Sequence, residues 1–392
     1  MKKQLINIFM VVFAFGCVNA QQDFSAVLAL IEKNNTTLQA LRQKAEAQKL
    51  ESRTGIWLQN PEAGFNYLWG NPGEIGTRTD FSVMQSFDFP SAYKYRSNIA
   101  DLQTEQAMLE YSVEKRKLLY EAKLICIDLV YYNKLMDENG RLLAYAESIA
   151  EAVEKMYAKG RVNILEHNKA QLNLANISND HGRLQAEARR LQAELTRMNG
   201  GKELHFEAAG YAPAALPGDF DAWFDGVESN NPLLQYMSRE VSIHENEEKL
   251  NRALSLPKFE AGYMSEKVVG EKYQGLSVGL SIPLWENKNT VKAARAQAAA
   301  GVALMTDLRL QLYNQLKNSY NAALDLQRLG DAYSRSLEGV DNAGLLKKAY
   351  DLGEISLIEY LVEVQFYYET VIKAIESRRE MHKAIAELEK WN

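Results

Sequence analysis

Few residues in this chain have the types and spacing needed for catalysis or metal binding. The five histidines are far apart, at His167, His181, His205, His244 and His382. Their spacing matches no zinc-ligand pattern, and His244-Glu245 lacks the second histidine of a zinc-protease helix. The sequence also has no Gly-rich phosphate-binding loop and no signature of a nucleophilic triad. We therefore predict a protein that is not an enzyme and that has no metal site or cofactor.

Two acidic residues stand at matching places after two glycines. Glu166 lies six residues after Gly160, and Glu359 lies six residues after Gly353. Each glycine can end a helix, and an Asn or Ser three residues later can cap the next one. By itself this spacing indicates no more than a solvated helix face for each glutamate.

Two proline-free ranges, 91–212 and 284–392, predict the helices that carry these turns. Both ranges are rich in strong helix formers. Each should form two long helices joined by a turn, at 158–163 and at 351–356, with about 65 residues or roughly 100 Å before the turn. After the second turn a coiled-coil seam is formed by Leu357, Leu361, Val364, Tyr368, Val371 and Ile375. Periodicity alone would fit any coiled coil.

Two segments bounded by prolines, 61–89 and 257–283, predict β-hairpins. Phe65, Tyr67 and Trp69 alternate with other residues in the first segment, and Leu276 to Ile282 alternates with Gly and Ser in the second. The four strands of about ten residues have the length of tilted membrane strands. A soluble sheet with one buried face is the alternative. Because four strands cannot close a barrel, a membrane barrel would need several copies of the chain.

The first twenty residues predict a secretory signal peptide, with Lys2 and Lys3 before an apolar run and a small-residue cleavage pattern that ends at Ala20. The mature chain would begin at Gln21. Cys17 follows Gly16 and could instead be acylated as a lipoprotein residue. Cys126 lies in an apolar stretch and is predicted to be buried. The formal net charge of −6 is evenly spread, which argues against a nucleic-acid partner.

The two halves of the chain match each other in order, which indicates a tandem duplication. Residues 34–39 resemble 230–235, and 61–67 correspond to 257–263. The most specific match joins 157–166 (YAKGRVNILE) with 350–359 (YDLGEISLIE). We expect a first repeat at 21–200, a linker at 201–222 around the middle of the helices, and a second repeat at 223–392.

On this duplication, the paired hairpins and both Tyr-x-x-Gly turns, the chain resembles the TolC-like outer-membrane efflux protein family. It is most similar to the heavy-metal cation-efflux branch. The resemblance implies a mainly α fold with membrane β: a homotrimer whose chains each give four strands to a twelve-stranded barrel in outer-membrane lipid of a Gram-negative bacterium. The long helices would continue as an α-barrel through the periplasm.

The resemblance also implies the function. The chain would be a passive exit duct that docks through its turns onto a periplasmic adaptor, or membrane fusion protein, and a proton-driven inner-membrane pump. The adaptor-docking residues would be Gly160, Val162, Gly353 and Ile355.

The family's periplasmic gate maps by position onto the second turn and the helix after it. Tyr350 matches the turn motif and Glu359 matches an acidic pore position. The next acidic position falls on Val362, with Glu363 one residue away. Glu166 takes the corresponding place after the first turn.

Other functions remain open at this level. A periplasmic adaptor or a coiled-coil scaffold also combines long helices with β structure, and an exit duct could serve protein secretion. Metal cations, small organic toxins and polypeptides are all possible cargo. Met84, Met237 and Met264 are scattered in sequence and are expected to be core or barrel residues, not ligands of soft metals.

Overall fold

The computed structural model describes residues 24–208, 210–213, 215–337 and 342–391. The predicted signal peptide, with Cys17, lies outside the described residues. None of the helices in the described ranges is both long and apolar enough to cross a membrane.

The described elements are mainly helical, with one four-strand sheet, as predicted. They run in the order α1 (Phe24–Asn34), α2 (Thr36–Glu51), β1 (Glu62–Trp69), β2 (Thr77–Phe87), α3 (Pro90–Ala158), α4 (Ile164–Met198), α5 (Phe220–Asn230), α6 (Pro232–Leu254), β3 (Lys258–Val268), β4 (Glu271–Ser281), α7 (Thr290–Leu337), α8 (Asn342–Asp351) and α9 (Leu357–Glu389).

The first long helix matches its predicted length. Helix α3 has 69 residues and begins with Pro90, whose fixed φ suits a first helical turn. In the second half, the described residues of the predicted rod form α7 with 48 residues and α8 with 10, and residues 338–341 between them lie outside the described ranges.

The seam predicted along α9 is the side that packs. Leu357, Val364 and Val371 are buried, and Tyr360 lies with them in the core. This side contacts a cluster that joins both helical hairpins near their turns, formed by Ile149, Val153, Ala170, Leu357, Tyr360 and Val364. The two turns therefore share one small core.

The linker after α4 packs on the helices. Leu204, Phe206 and Ala208 are buried with Cys126 in a cluster that also contains residues of α1, α3 and α4. Further along, the Tyr211 hydroxyl donates a hydrogen bond of 3.2 Å to the carbonyl oxygen of Ile127. This segment thus ties the first helical hairpin to α1.

The four strands form a single antiparallel sheet in the order β1-β2-β3-β4. The two hairpins are joined by pairing of β2 with β3, in a register that places Val83 opposite Tyr263. The outer edges of β1 and β4 have no strand partner within the described chain. The sheet therefore ends in two open edges with unpaired backbone groups.

Candidate functional site

The register of the sheet separates an apolar face from a polar one. Phe65 lies opposite Phe81, and Tyr263 lies between Val83 and Leu276, so these side chains share one face. The other apolar side chains on this face are Ala63, Tyr67, Trp69, Phe87, Phe259, Ala261, Val278 and Leu280, and the polar residues on it are Thr77, Thr79, Gln85, Ser265, Lys267, Lys272 and Gln274, most of them towards the end where β1 joins β2 and β3 joins β4. The face is open to the surroundings, with Leu276 89% and Val278 82% exposed.

The opposite face is polar, and β4 contributes mostly small residues to it. Along β4 it presents Gly275, Ser277, Gly279 and Ser281, alternating with the apolar residues. A Cβ atom on Gly262 of β3 would collide with the Val83 carbonyl oxygen and the Met84 sulfur, so the close strand approach there requires glycine.

Met84 and Met264 also lie on this polar face, paired with Gly262 and Ser82 respectively. They are therefore sheet residues outside the helical core.

Three tryptophans are largely exposed near the ends of the sheet. Trp57 precedes β1, Trp285 follows β4, and Trp69 ends β1 at the opposite end of the sheet. The other two, Trp223 and Trp391, pack against a core cluster of the helices. Aromatic residues at both ends of an apolar strand band are typical of the two interfaces of a membrane.

The first turn follows the predicted pattern of a helix end and a helix start. Gly160 has a φ of 67°, and its N–H donates to the carbonyl of Tyr157 at 2.8 Å. The Asn163 side chain then accepts the N–H of Glu166 at 3.0 Å, which caps α4.

The second turn repeats this arrangement and adds a reciprocal bond. Gly353 has a φ of 75°, and its N–H donates to the carbonyl of Tyr350 at 3.0 Å. The Glu359 carboxylate accepts the Ser356 N–H at 2.7 Å, and the Ser356 hydroxyl accepts the Glu359 N–H. Hydrogen bonds from the Ser356 backbone and then its hydroxyl lower the pKa of Glu359.

Both glutamates have a local structural role in these turns. Sequence reasoning did not predict that role. Glu166 and Glu359 occupy the third helical position after a cap, where a carboxylate can bond to the cap and favours the helix dipole. The S-x-x-E signature at Ser356 could have indicated it. The glycine-to-acid spacing that the repeats share is thus the spacing of a helix end followed by a capped start.

The structure brings Tyr350 of the second turn towards Glu166 of the first. Burial, followed by the negative charge of Glu166, raises the pKa of the Tyr350 hydroxyl. Its ring centroid is 5.6 Å from that of Tyr360. Val162 and Ile355 are also half-buried against the shared core of the turns. Glu363, in contrast, is exposed one helical turn after Glu359.

The histidines have structural neighbours. Within the described ranges, no group of three or more His, Cys, Asp or Glu side chains is placed to hold a metal ion. His181 lies 3.1 Å from the Asn139 amide oxygen, and His167 stacks on Tyr157.

His382 has a clearly lowered pKa. Its ring stacks on Tyr211 of the linker with centroids 4.2 Å apart. Burial, with positive side chains nearby, lowers the pKa of His382 to about 4. The imidazole is therefore neutral at physiological pH and serves as a packed ring.

Comparison with known proteins identifies the fold. No protein-family model matches the chain, and no curated protein matches it by sequence. Among solved structures, a membrane protein from Pseudomonas aeruginosa is similar at a TM-score of 0.78 and 14% identity, over 95% of this chain and 92% of that one.

Two outer membrane proteins are similar to the same extent. The Campylobacter jejuni CmeC outer membrane channel has a TM-score of 0.74 and 14% identity, over 94% of this chain and 85% of that one. The outer membrane protein VceC from Vibrio cholerae has a TM-score of 0.75 and 10% identity, over 94% of this chain and 95% of that one. At such identities the likeness establishes architecture, and the chain has the fold of solved outer membrane channel proteins.

Proposed function

We propose that this chain is an outer-membrane exit duct of the TolC-like kind, which passively conducts substrates out of a Gram-negative cell. The observation that carries the proposal is the sheet, which has an open apolar face, a polar face and two edges without a strand partner in the described chain. The fold likeness to outer membrane channels supports it. Three copies would assemble the duct.

The apolar face supports contact with lipid. Full burial of a large apolar side chain contributes about 1.5–3 kcal/mol, so exposing a whole band of them to water is costly. Leu276 and Val278 lie near the middle of β4, while Trp69 and Trp285 lie near opposite ends of the sheet. A bilayer covers such a band and receives the aromatic rings at its interfaces.

The open edges support assembly from several copies. Unpaired backbone groups in lipid cost several kcal/mol each, so the outer edges of β1 and β4 need partners there. Pairing β4 of one copy with β1 of the next supplies them and turns the polar face towards a lumen. With three copies the result is a closed twelve-stranded barrel, continued by the helices as an α-barrel in the periplasm.

The polar face also bears on the cargo, which we propose includes metal cations. It carries five carboxylates, at Glu62, Asp80, Glu260, Glu266 and Glu271. Only two cations, Arg78 and Lys258, share that face, and Arg78 pairs with Asp80 and Glu266. A lumen with excess negative charge favours passage of cations.

We also propose that the turns dock a periplasmic adaptor coupled to a proton-driven inner-membrane pump. Val162 and Ile355 pack against the shared core of the turns. Gly160 and Gly353 lie at the tips of the turns, where their backbone groups are accessible to a partner. Apart from the adjacent residues of the chain, no described atom lies within 4 Å of where their Cβ atoms would be, so the tips leave space for a partner.

The gate would lie at the helical end of the duct, near Tyr350, Glu166, Glu359 and Glu363. Glu359 and Glu363 are exposed on α9, and copies of these carboxylates around a passage would select for cations.

The test is single-channel conductance of detergent-purified protein in a planar bilayer, with its mass measured in parallel. We expect a trimer that forms small, cation-selective channels. A monomer that stays soluble without detergent and never conducts would contradict the duct and favour an adaptor or scaffold protein.

A further inference from the structure

Two lysines stand side by side on the apolar face of the sheet. The strand register places Lys267 of β3 directly opposite Lys272 of β4, and Thr79 of β2 lies on the other side of Lys267. Both lysines are exposed. Within the four described strands they are the only charged residues on this face, because every acidic strand residue lies on the polar face. The apolar face therefore carries a local positive charge that its own strands do not balance.

The lysine pair has no acidic partner in the described part of the chain, where neither lysine forms an ion pair. The two adjoining carboxylates have other partners. Glu266 lies 3.1 Å from Arg78, and Glu271 accepts a hydrogen bond of 2.9 Å from the Tyr273 hydroxyl. Directly opposite residues have Cβ atoms about 4.5–5.5 Å apart, and like charges at such positions destabilise a strand pair. An anion between the two ammonium groups would remove this repulsion.

The lysine pair lies where the apolar residues of this face end. Along β4 the face runs from Lys272 and Gln274 to Leu276 and Val278, so its polarity changes between Gln274 and Leu276. In a bilayer such a border lies at the interface with water, where a charged residue that faces lipid costs little. The long apolar stem of a lysine can lie along lipid while its ammonium group reaches the headgroups.

The chain order shows which end of the sheet this is. Strands β1 and β3 follow helices α2 and α6, and strands β2 and β4 lead into α3 and α7, so these helices adjoin one end of the sheet. The lysine pair lies at the other end, next to the turn that joins β3 to β4. With the helices in the periplasm, this end reaches the outer leaflet of the membrane.

We propose that Lys267 and Lys272 bind a phosphorylated lipid of the outer leaflet, with one phosphate group held between the two ammonium groups. This inference rests on the proposed function, because it requires that the apolar face contacts lipid and that the helices lie in the periplasm. Lysine binds phosphate as a point charge, and the half-buried Thr79 offers a hydroxyl beside Lys267. A lipid fits this place better than a free ion, because its acyl chains would cover the adjoining apolar residues.

The experiment titrates detergent-purified protein, in neutral detergent, with fluorescent phosphatidic acid, which carries a phosphate monoester. Fluorescent phosphatidylcholine, whose headgroup has no net charge, is measured in parallel. Inorganic phosphate is then added as a competitor at constant ionic strength. Flotation with phosphatidylcholine vesicles checks that each protein still inserts.

Four proteins are compared: the wild type, Lys267→Gln/Lys272→Gln, Lys267→Arg/Lys272→Arg and Lys169→Gln/Lys249→Gln. The last is the matched control, because it removes two exposed positive charges from α4 and α6. The arginine variant keeps both charges at the proposed site. If the double glutamine variant fails to insert, the single variants Lys267→Gln and Lys272→Gln replace it.

We expect the wild type to bind phosphatidic acid more tightly than phosphatidylcholine. Each lysine near an anionic lipid strengthens binding about fivefold, so the double glutamine variant should bind phosphatidic acid about 30-fold more weakly. The arginine variant and the matched control should bind it like the wild type. Inorganic phosphate should not displace the lipid.

Three results would overturn the proposal. The first is equal binding of phosphatidic acid by the wild type and the glutamine variants of the lysine pair. The second is an equal loss in the matched control, which would indicate attraction by overall charge. The third is displacement by inorganic phosphate, which would indicate a site for a free anion. Failure of the wild type to insert into phosphatidylcholine vesicles would instead contradict the proposed duct, so the two failures are distinguishable.

Discussion

Ser356 and Glu359 hold each other at the start of α9 by two hydrogen bonds. The Ser356 N–H donates to the Glu359 carboxylate at 2.7 Å, and the Glu359 N–H donates to the Ser356 hydroxyl at 3.3 Å. The glutamate thus has a local structural role in addition to the pore role proposed for it. Variants of the two residues can separate these roles.

Ser356→Ala should lower the stability of the protein by about 1 kcal/mol, because the hydroxyl cap is lost while the Glu359 charge remains. Ion selectivity of the channel should be unchanged. Glu359→Gln should reduce cation preference, since it removes the charge. Thermal unfolding and reversal potentials in salt gradients check both variants. Equal selectivity of Glu359→Gln and wild type would leave the glutamate with the capping role alone.

Gly353→Ala should destabilise the second turn by about 1–2 kcal/mol, because its φ of 75° is costly for a residue with a Cβ atom. Gly353→Asn should cost less, since asparagine tolerates this conformation. Gly182 lies within α4 with open space around it, so Gly182→Ala should stabilise by about 0.5–1 kcal/mol. Chemical denaturation measures all three. Equal effects of the two alanine variants would contradict the argument from φ.

Leu276→Arg should prevent insertion into lipid vesicles, whereas the neighbouring Ser277→Arg should insert. The two residues lie on opposite faces of β4, the first on the apolar face and the second on the polar face. An arginine facing lipid costs about 2–4 kcal/mol at mid-membrane, while one facing a water-filled lumen avoids that cost. Flotation of lipid vesicles mixed with each variant measures the fraction of protein that has inserted. Insertion of both with equal yield would argue against lipid contact at this face.

Acidification should destabilise the helical part through His382, whose pKa burial lowers to about 4. The unfolded chain binds the proton from about pH 6.5 downward, while the folded chain resists it until about pH 4. Stability from this residue is therefore full above pH 6.5 and falls as the pH drops towards 4.

His382→Gln should flatten that part of the stability profile, measured by thermal unfolding between pH 7 and 4. The exposed His205, changed to Gln, is the control and should keep the slope. A slope that survives in His382→Gln would assign it to other groups.

Local sequence patterns predicted the helices and strands well, because each kind of element has a regular pattern of residues in the sequence. The alternation around Phe65 and Leu276 produced strands, and the proline-free range after Pro90 produced α3.

Contacts between distant segments were harder to predict. Tyr350 approaches Glu166, and Val162 and Ile355 are half-buried, because the two hairpins pack together at their turns. Local sequence patterns do not show how two distant hairpins pack. The place of Met84 and Met264 on one polar face follows from strand register, which the sequence did not specify. The division into repeats stays a prediction, as does the role of each gate residue.

The pairing of β2 with β3 within one chain has a consequence for assembly. If three copies close a ring of six hairpins, three of the six junctions between hairpins are already made inside single chains. Those junctions form at an effective concentration fixed by the connecting polypeptide, not by the amount of protein in the membrane. Dilution would therefore act only on the β4–β1 junctions. Carrying both hairpins on one chain thus halves the number of encounters between copies on which a closed ring would depend.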